Sequence, residues 1–411
     1  MQAKSVKMKV LLLSPFFFPE QISTGRYNTH LAEALVSAGH DVTVIASHPF
    51  YPNWRAEFST ATLPGIEIKR GGGRISYPRS TILRRTILEL WYAWYVLTTY
   101  FKLNSRPDIV ISIFPPSLFF MLLHCLLPHA ICRVGIVHDL QGVYATKRSA
   151  LKGRLINAAI HFVEKRCFSA CERLIFLSAS MASRAITEYQ LISERCSVCY
   201  PFVAITDDRE CSVALVNVLL PDSFNVVYAG ALGEKQNPDD LFAFMNDFAC
   251  TQENVVSHIF SAGPIFDRLR MNNHCVENCK VQFHELVPAV QLAELYARSD
   301  VQIIPQALDT SEGSLPSKLP NLLAAGVPVF VICESGSELG DLVNEAKAGV
   351  VANTWVIAEL VGLFKSYRNK LVEETKRDRR IRLQEFVKSK FSIDCVVESV
   401  LVAAKRKREG G

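Results

Sequence analysis

Residues 9–46 read KVLLLSPFFFPEQISTGRYNTHLAEALVSAGHDVTVIA. Lys9 to Ser14 is a continuous apolar run of the kind that a parallel sheet buries on both faces. After the loop Pro15 to Thr24, the residues Leu31, Ala34, Leu35 and Ala38 fall on one face of a helix, and Gly39 supplies a left-handed stop. Val42 to Ala46 then reads as a second strand. Strand, loop, helix, strand is the opening of a sheet whose parallel neighbours are joined through helices.

The alternation continues in both directions from this reading. Ile66 to Lys69, Ile109 to Phe114 and Val134 to Val137 read as further strands, followed by a helix from Gly153 to Phe168, a strand from Leu174 to Leu177 and a helix from Met181 to Tyr189. Pro201 to Ser223, with Asp207, Asp208, Arg209 and Pro221, is less regular and reads as a linker. The pattern then restarts, with strands at Asn225 to Ala229, Val256 to Phe260, Val301 to Ile304 and Val327 to Ile332. The intervening helices are Asp239 to Phe248, Val290 to Arg298, Ser317 to Ala325 and Glu338 to Lys347. No residue-level repeat relates the halves, so this is duplicated topology. The expected organisation is α/β throughout: a doubly wound domain over residues 1–203, a linker over 204–223, a second doubly wound domain over 224–385, and a C-terminal helix with a basic tail over 386–411. The run Lys405 to Arg408 reads as a solvated, frayed end.

Bulk properties agree with two folded domains. A chain of 411 residues exceeds one ordinary core, and 49% hydrophobic with 21% charged residues excludes disorder and a disulfide-stapled mini-fold. Twelve cysteines stand at irregular spacings with no secretory signal before them, so reduced thiols in the cytosol are expected. Cys196 and Cys199 form a C-x-x-C without a second ligand pair at zinc spacing. The net charge of +5 is spread along the chain, which argues against a dedicated nucleic-acid binder and leaves room for an acidic small molecule or an anionic lipid. Ile87 to Phe101 is too short to span a bilayer and is interrupted by Glu89, and Pro115 with Pro116 splits Ile109 to Leu127. Arg79, Arg84 and Arg85 precede the aromatic run Trp91, Tyr92, Trp94, Tyr95. Two readings fit that stretch equally: an interfacial anchor, or a core helix with a solvated start.

In doubly wound sheets, ligands bind outside the carboxyl ends of the strands, where helix N-termini present free N–H groups. Two such sheets on one chain are expected to share a cleft suited to a phosphate-bearing ligand. Neither G-x-G-x-x-G nor G-x-x-x-x-G-K-[ST] is present, which removes the dehydrogenase and P-loop readings. Gly25 either brings backbone close to a ligand or makes a tight turn. Gly230, Gly233 and Lys235 follow the first strand of the second half, where the lysine meets a pyrophosphate or simply faces solvent. Ser317 is placed to cap a helix with Lys318 in its first turn, which makes an anion site or an ordinary capped helix. Ser335 and Glu338 have capping-box spacing, so Glu338 serves either the cap or the substrate. His138 and Asp139 stand just beyond a strand end, where a histidine positions a hydroxylic substrate or shuttles a proton.

Taken in order, these pieces resemble the retaining GT-B glycosyltransferases of family 4, in the branch of the colanic-acid-type exopolysaccharide glycosyltransferases. The resemblance is carried by the first strand and loop to Gly25, Ala38 to Val44, Pro49 to Pro52, Arg106 to Asp108, Pro115-Pro116, His138-Asp139 and Glu164. In the second half it continues through Gly230 to Gln236, Ser299 to Gln306, Pro316 to Leu319, Ala325 to Val329 and Gly336 to Leu339. It implies two Rossmann-like doubly wound parallel-sheet domains facing a central cleft. It also implies sugar transfer from a nucleoside diphosphate sugar with retained configuration, no metal and no other cofactor, to a polyprenyl-linked or polysaccharide acceptor. The donor would lie on the C-terminal domain, through Gly230, Gly233, Lys235, Glu312, Ser317, Lys318, Asn321 and Glu338, with Gly25 of the first domain letting its loop approach the phosphates. His138, Lys235 and Asp139 would be catalytic, with Lys235 and a helix N-terminus stabilising the leaving diphosphate, whose oxygen takes the acceptor proton. The location implied is cytoplasmic, peripheral at the inner face of the cytoplasmic membrane, with possible contact to anionic lipid. Two departures stand out: Glu312 is one residue out of register with the family's glutamate pair, whose second position holds Asn321, and Ala231 replaces the arginine that often precedes the phosphate lysine. A nucleotide-sugar epimerase of the same architecture, or a non-catalytic glycosyltransferase partner, are the alternatives. Donor conversion without acceptor would mark the first, and donor binding without turnover the second.

Overall fold

The computed structural model describes residues 7–20, 22–51, 53–141, 151–203, 213–273, 279–308 and 315–409. The chain divides into two compact units, Met1–Phe202 with Ser392–Gly411, and Val203–Phe391.

Unit 1 follows β1 (Lys9–Leu13), α1 (Ser23–Ser37), β2 (Asp41–Ser47), β3 (Ile66–Gly71), α2 (Thr81–Tyr100), β4 (Ile109–Phe114), α3 (Leu118–Leu123), β5 (Cys132–Val137), α4 (Leu151–Ser169), β6 (Arg173–Phe176), α5 (Ala179–Tyr189) and β7 (Cys196–Val198). Its seven strands are all parallel, in the order β3-β2-β1-β4-β5-β6-β7. Side chains alternate across the sheet. Val10 and Leu12 of β1 join one core with Leu31 and Leu35 of α1, while Leu11 and Leu13 join another with Tyr92 of α2 and Phe119 of α3. Burial on both faces is why the run KVLLL carries no polar alternation. Gly39 ends α1 at φ 91°, in the left-handed region that the sequence assigned to it.

Unit 2 follows α6 (Val213–Val218), β8 (Phe224–Ala229), α7 (Pro238–Cys250), β9 (Val255–Ser261), α8 (Pro264–Asn273), β10 (Val281–Glu285), α9 (Leu292–Arg298), β11 (Val301–Pro305), α10 (Leu319–Ala324), β12 (Val329–Ile332), α11 (Glu338–Glu345), β13 (Gly349–Ala352), α12 (Ile357–Lys370) and α13 (Lys376–Lys390). Its sheet, β10-β9-β8-β11-β12-β13, repeats the order of unit 1 without the last strand. The strand order therefore reverses between β1 and β4 in unit 1 and between β8 and β11 in unit 2, the positions where doubly wound sheets take ligands.

Several expectations change. The boundary expected at 385/386 falls inside α13, and the units instead exchange at Phe391/Ser392. The expected linker contains α6; its residues 204–212 lie outside the described residues. The C-terminal helix α14 (Ile393–Glu409) belongs to unit 1, where Val396 and Val400 are fully buried in the α1 core. Its basic run is docked, not frayed: Lys407 lies 3.0 Å from Glu172 and Arg408 2.9 Å from Asp108. Cys199 and Cys395 are joined as a disulfide with Cα atoms 5.9 Å apart, which corrects the expectation of uniformly reduced thiols.

Candidate functional site

In unit 1 the loop after β1 is bound back onto the fold. Asn28 of α1 donates to Ser14 Oγ and to the Phe16 carbonyl, both at 2.9 Å. The buried Glu20 carboxylate accepts the Phe50 and Tyr51 amides, each at 3.0 Å, and burial raises its pKa against the pull of those bonds. Gly25 sits in the first turn of α1, and a Cβ there would come within 3.0 Å of the Glu20 carbonyl. A side chain there would make the loop give by a few tenths of an ångström, so the loop's own close packing favours glycine.

His138 and Asp139 follow β5, as their strand-end reading predicts. The His138 amide donates to the Phe114 carbonyl at 2.8 Å, and its ring meets Tyr27 edge-on at 4.7 Å. Tyr27 in turn stacks on Phe202 at 4.4 Å. His138 Nε2 and Tyr27 Oη are both enclosed, and neither has a hydrogen-bond partner among the described residues. A buried polar atom without a partner costs free energy and calls for an explanation. Burial pulls the His138 pKa down to about 4, so the imidazole is neutral at neutral pH. A neutral ring can hold a hydroxyl, but its one remaining N–H is too weakly acidic to be given up. Tyr27 was not singled out from the sequence; its place two residues after Gly25 was the available signal.

In unit 2 the loop from Gly230 to Asn237 spans the end of β8 and the start of α7. Gly230 adopts φ 144°, a conformation that side chains rarely take. The Gly233 amide donates to Gln236 Oε1 at 2.9 Å, which closes a short 3-10 turn over Glu234–Gln236. The carbonyl of Lys235, inside that turn, accepts the Ala307 amide beyond β11 at 2.8 Å. Asp239 and Asp240 occupy the first turn of α7, so this helix end already carries negative charge.

The stretch around Lys318 reaches the same place. Its ammonium donates to the Ile303 carbonyl at 3.1 Å and the Ala229 carbonyl at 3.4 Å, and lies 4.3 Å from the centre of the Tyr228 ring. The stem is partly exposed, but the ammonium is enclosed, and burial lowers its pKa to about 7. Lys318 thus ties the end of β8 to the middle of β11, where the strand order reverses. The expected cap is corrected: Lys318 is the N-cap of α10, no side chain of the described residues caps that helix, and Ser317 is exposed. Asn321 donates to the Ser317 carbonyl at 3.3 Å. The capping box expected from Ser335 is not formed either, because Ser337 caps α11 by accepting the Gly340 amide at 3.2 Å and Glu338 is the first helical residue. Glu312 lies outside the described residues. Among the described residues, no three His, Cys, Asp or Glu side chains gather as a metal ion would need.

Comparison with known proteins follows the same lines. The sequence model of Glycosyltransferase Family 4 matches residues 24–207. The chain is 24% identical over 358 residues to WcaI of Escherichia coli (strain K12), by its name a colanic acid biosynthesis glycosyl transferase, covering 82% of this chain and 86% of that one. Among solved structures, sucrose-phosphate synthase of Thermosynechococcus elongatus superposes with a TM-score of 0.72 at 15% identity, over 98% of this chain and 99% of its own. Anabaena HepE, solved in complex with UDP-glucose, superposes with a TM-score of 0.62 at 13% identity, over 96% and 98%. Residues 24–207 therefore match glycosyltransferase family 4, on a chain with the GT-B fold.

Proposed function

We propose that this chain is a retaining glycosyltransferase that moves a sugar from a nucleoside diphosphate sugar to a lipid-linked or polysaccharide acceptor in surface polysaccharide biosynthesis. The observation that carries the reading is the convergence of two loops in unit 2. The stretch Gly230 to Lys235 and the Lys318 ammonium meet at the carboxyl end of β8, beside β11, where a doubly wound sheet takes its phosphate ligand. In this reading unit 2 holds the donor, with Lys235 set against the diphosphate and Gly230 and Gly233 letting the backbone approach it. Two lysines offset the charge that develops on the leaving group, so the step proceeds without a bound metal.

Unit 1 takes the acceptor. Inversion would need a protein base to receive the acceptor proton, and an imidazole with a pKa of about 4 is a poor one at neutral pH. This supports transfer on one face of the sugar: the departing diphosphate oxygen takes the acceptor hydroxyl's proton as the new bond forms and the old one breaks. His138, with Asp139 beside it, positions the sugar. The work is done at the inner face of the cytoplasmic membrane. Proton NMR of the first-formed product tests the mechanism, since the anomeric coupling should match that of the donor and should be unchanged when EDTA is added. An inverted product, or activity abolished by EDTA and restored by a divalent cation, would refute it.

A further inference from the structure

Helix α2 turns an apolar side outward. Leu83, Leu90, Trp94 and Phe101 are 56, 58, 67 and 70% exposed. Their spacing of seven, four and seven residues places them along one stripe about 27 Å long. Single exposed apolar residues are ordinary, but an aligned row of four is not. The other side of the helix is fully used: Tyr92, Ala93 and Val96 enter the unit 1 core, and the Glu89 carboxylate accepts the Ser117 and Leu118 amides at 3.0 and 2.9 Å. Helix α3, packed against α2, adds exposed Leu122, and Leu126 follows just past its end.

The charge flanking the stripe is mainly positive. Residues 71–108 contain Arg74, Arg79, Arg84, Arg85, Lys102 and Arg106 against two acids, Glu89, which is turned inward, and Asp108, which pairs with Arg408. Arg79 and Arg85 are exposed at the start of α2, and Lys102 and Arg106 just beyond its end. Arg84 is used differently, lying 3.7 Å over the Trp54 ring. The helix is not long and apolar enough to cross a membrane. A row of apolar side chains framed by cations is instead the pattern of a helix lying in the plane of a bilayer surface. A two-fold second copy on this stripe would set one helix's arginines against the other's lysine and arginine or against its own kind, which opposes that occupant.

We propose that α2 lies along an anionic lipid bilayer, with Leu83, Leu90, Trp94 and Phe101 among the upper acyl chains and Arg79, Arg85, Lys102 and Arg106 at the depth of the lipid phosphates. The proposal rests on the function proposed above in one respect, that the acceptor is lipid-linked, and it supplies that acceptor's route. Ile87 and Trp91, the inward neighbours of the stripe, pack with Phe16, Phe50, Trp54 and Tyr77. Apolar contact therefore runs unbroken from the lipid-facing stripe to Phe16, in the loop that carries Glu20 and leads to Gly25.

The test is flotation of the full chain with vesicles of phosphatidylcholine containing phosphatidylglycerol, compared with phosphatidylcholine alone. Wild type should float with the anionic vesicles, and the double variant L90S/W94S should lose affinity by about tenfold or more. Arg79→Glu with Arg85→Glu should abolish the preference for anionic lipid. Circular dichroism melting of each variant checks that it remains folded, as exposed positions should allow. A folded L90S/W94S that floats like wild type overturns the proposal, as does a dimer in vesicle-free sedimentation that this variant abolishes. Sugar transfer to a water-soluble acceptor should be unchanged in L90S/W94S. A chain that floats as predicted but transfers no sugar would defeat the transferase reading and leave the lipid surface standing.

Discussion

Lys318 is the residue on which sequence and structure differ most usefully. Spacing places it at a helix start, where a lysine can face solvent, a ligand or the core; only the packing shows its ammonium between two strand carbonyls and the Tyr228 ring. Because burial lowers its pKa to about 7, nitrogen-detected NMR of lysine side chains should show one amine titrating near neutrality. Saturating nucleoside diphosphate should raise that inflection if phosphate comes within reach; an unmoved inflection would make Lys318 a strand tie alone. His138 offers a second test. Its Nε2 and the Tyr27 hydroxyl lack partners among the described residues, so His138→Ala and Tyr27→Phe should each reduce transfer, by about tenfold or more, with little loss of stability. Wild-type turnover in both would remove them from the site. The strand-end placement of His138 was legible in the sequence, because apolar runs mark where a strand stops. The unpartnered atoms were not, since burial belongs to the packed fold.

At the scale of elements, Glu89 shows why periodicity alone misleads. In sequence it interrupts an apolar run; in the fold it satisfies two amides at the start of α3, just after Pro115-Pro116. Glu89→Gln keeps an acceptor and should be nearly neutral, whereas Glu89→Leu should lower stability by about 1–2 kcal/mol in denaturant unfolding. Equal effects would contradict the capping role. The β9–β10 pair carries a pH-dependent weakness. His258 lies 3.2 Å from His284, and burial, with the neighbouring imidazole, lowers its pKa to about 3. A histidine held below its usual value folds best when neutral, so this contribution is intact above about pH 6.5 and is lost as pH falls towards 3. His258→Gln should therefore shift acid unfolding of unit 2 to lower pH, read by hydrogen exchange in β8 to β10. Short strands such as β10 and β13 escaped the sequence reading because four or five residues at a sheet edge carry little periodic signal.

Over the whole molecule, the duplicated parallel sheets were legible from the alternation of apolar runs and amphipathic helices, which local sequence specifies. The return of α14 to unit 1 was not, because helical periodicity is the same whichever core receives the helix. That helix is held by Val396 and Val400 in the core, by the Cys199–Cys395 bond and by the ion pairs of Lys407 and Arg408. Removing residues 392–411 should increase hydrogen exchange in β5 and β6, which α14 contacts, and leave unit 2 unchanged. The central proposal is that the convergence of the Gly230–Lys235 loop and Lys318 serves a departing nucleoside diphosphate. A panel of labelled nucleotide sugars should be incubated with native membranes and the chain, as wild type and as Lys235→Ala. Label from one donor should pass into a lipid or polysaccharide fraction with wild type, and the rate should fall by about a hundredfold or more in the variant. Equal rates in the two proteins, or donor epimerised with no label in any acceptor fraction, would contradict it.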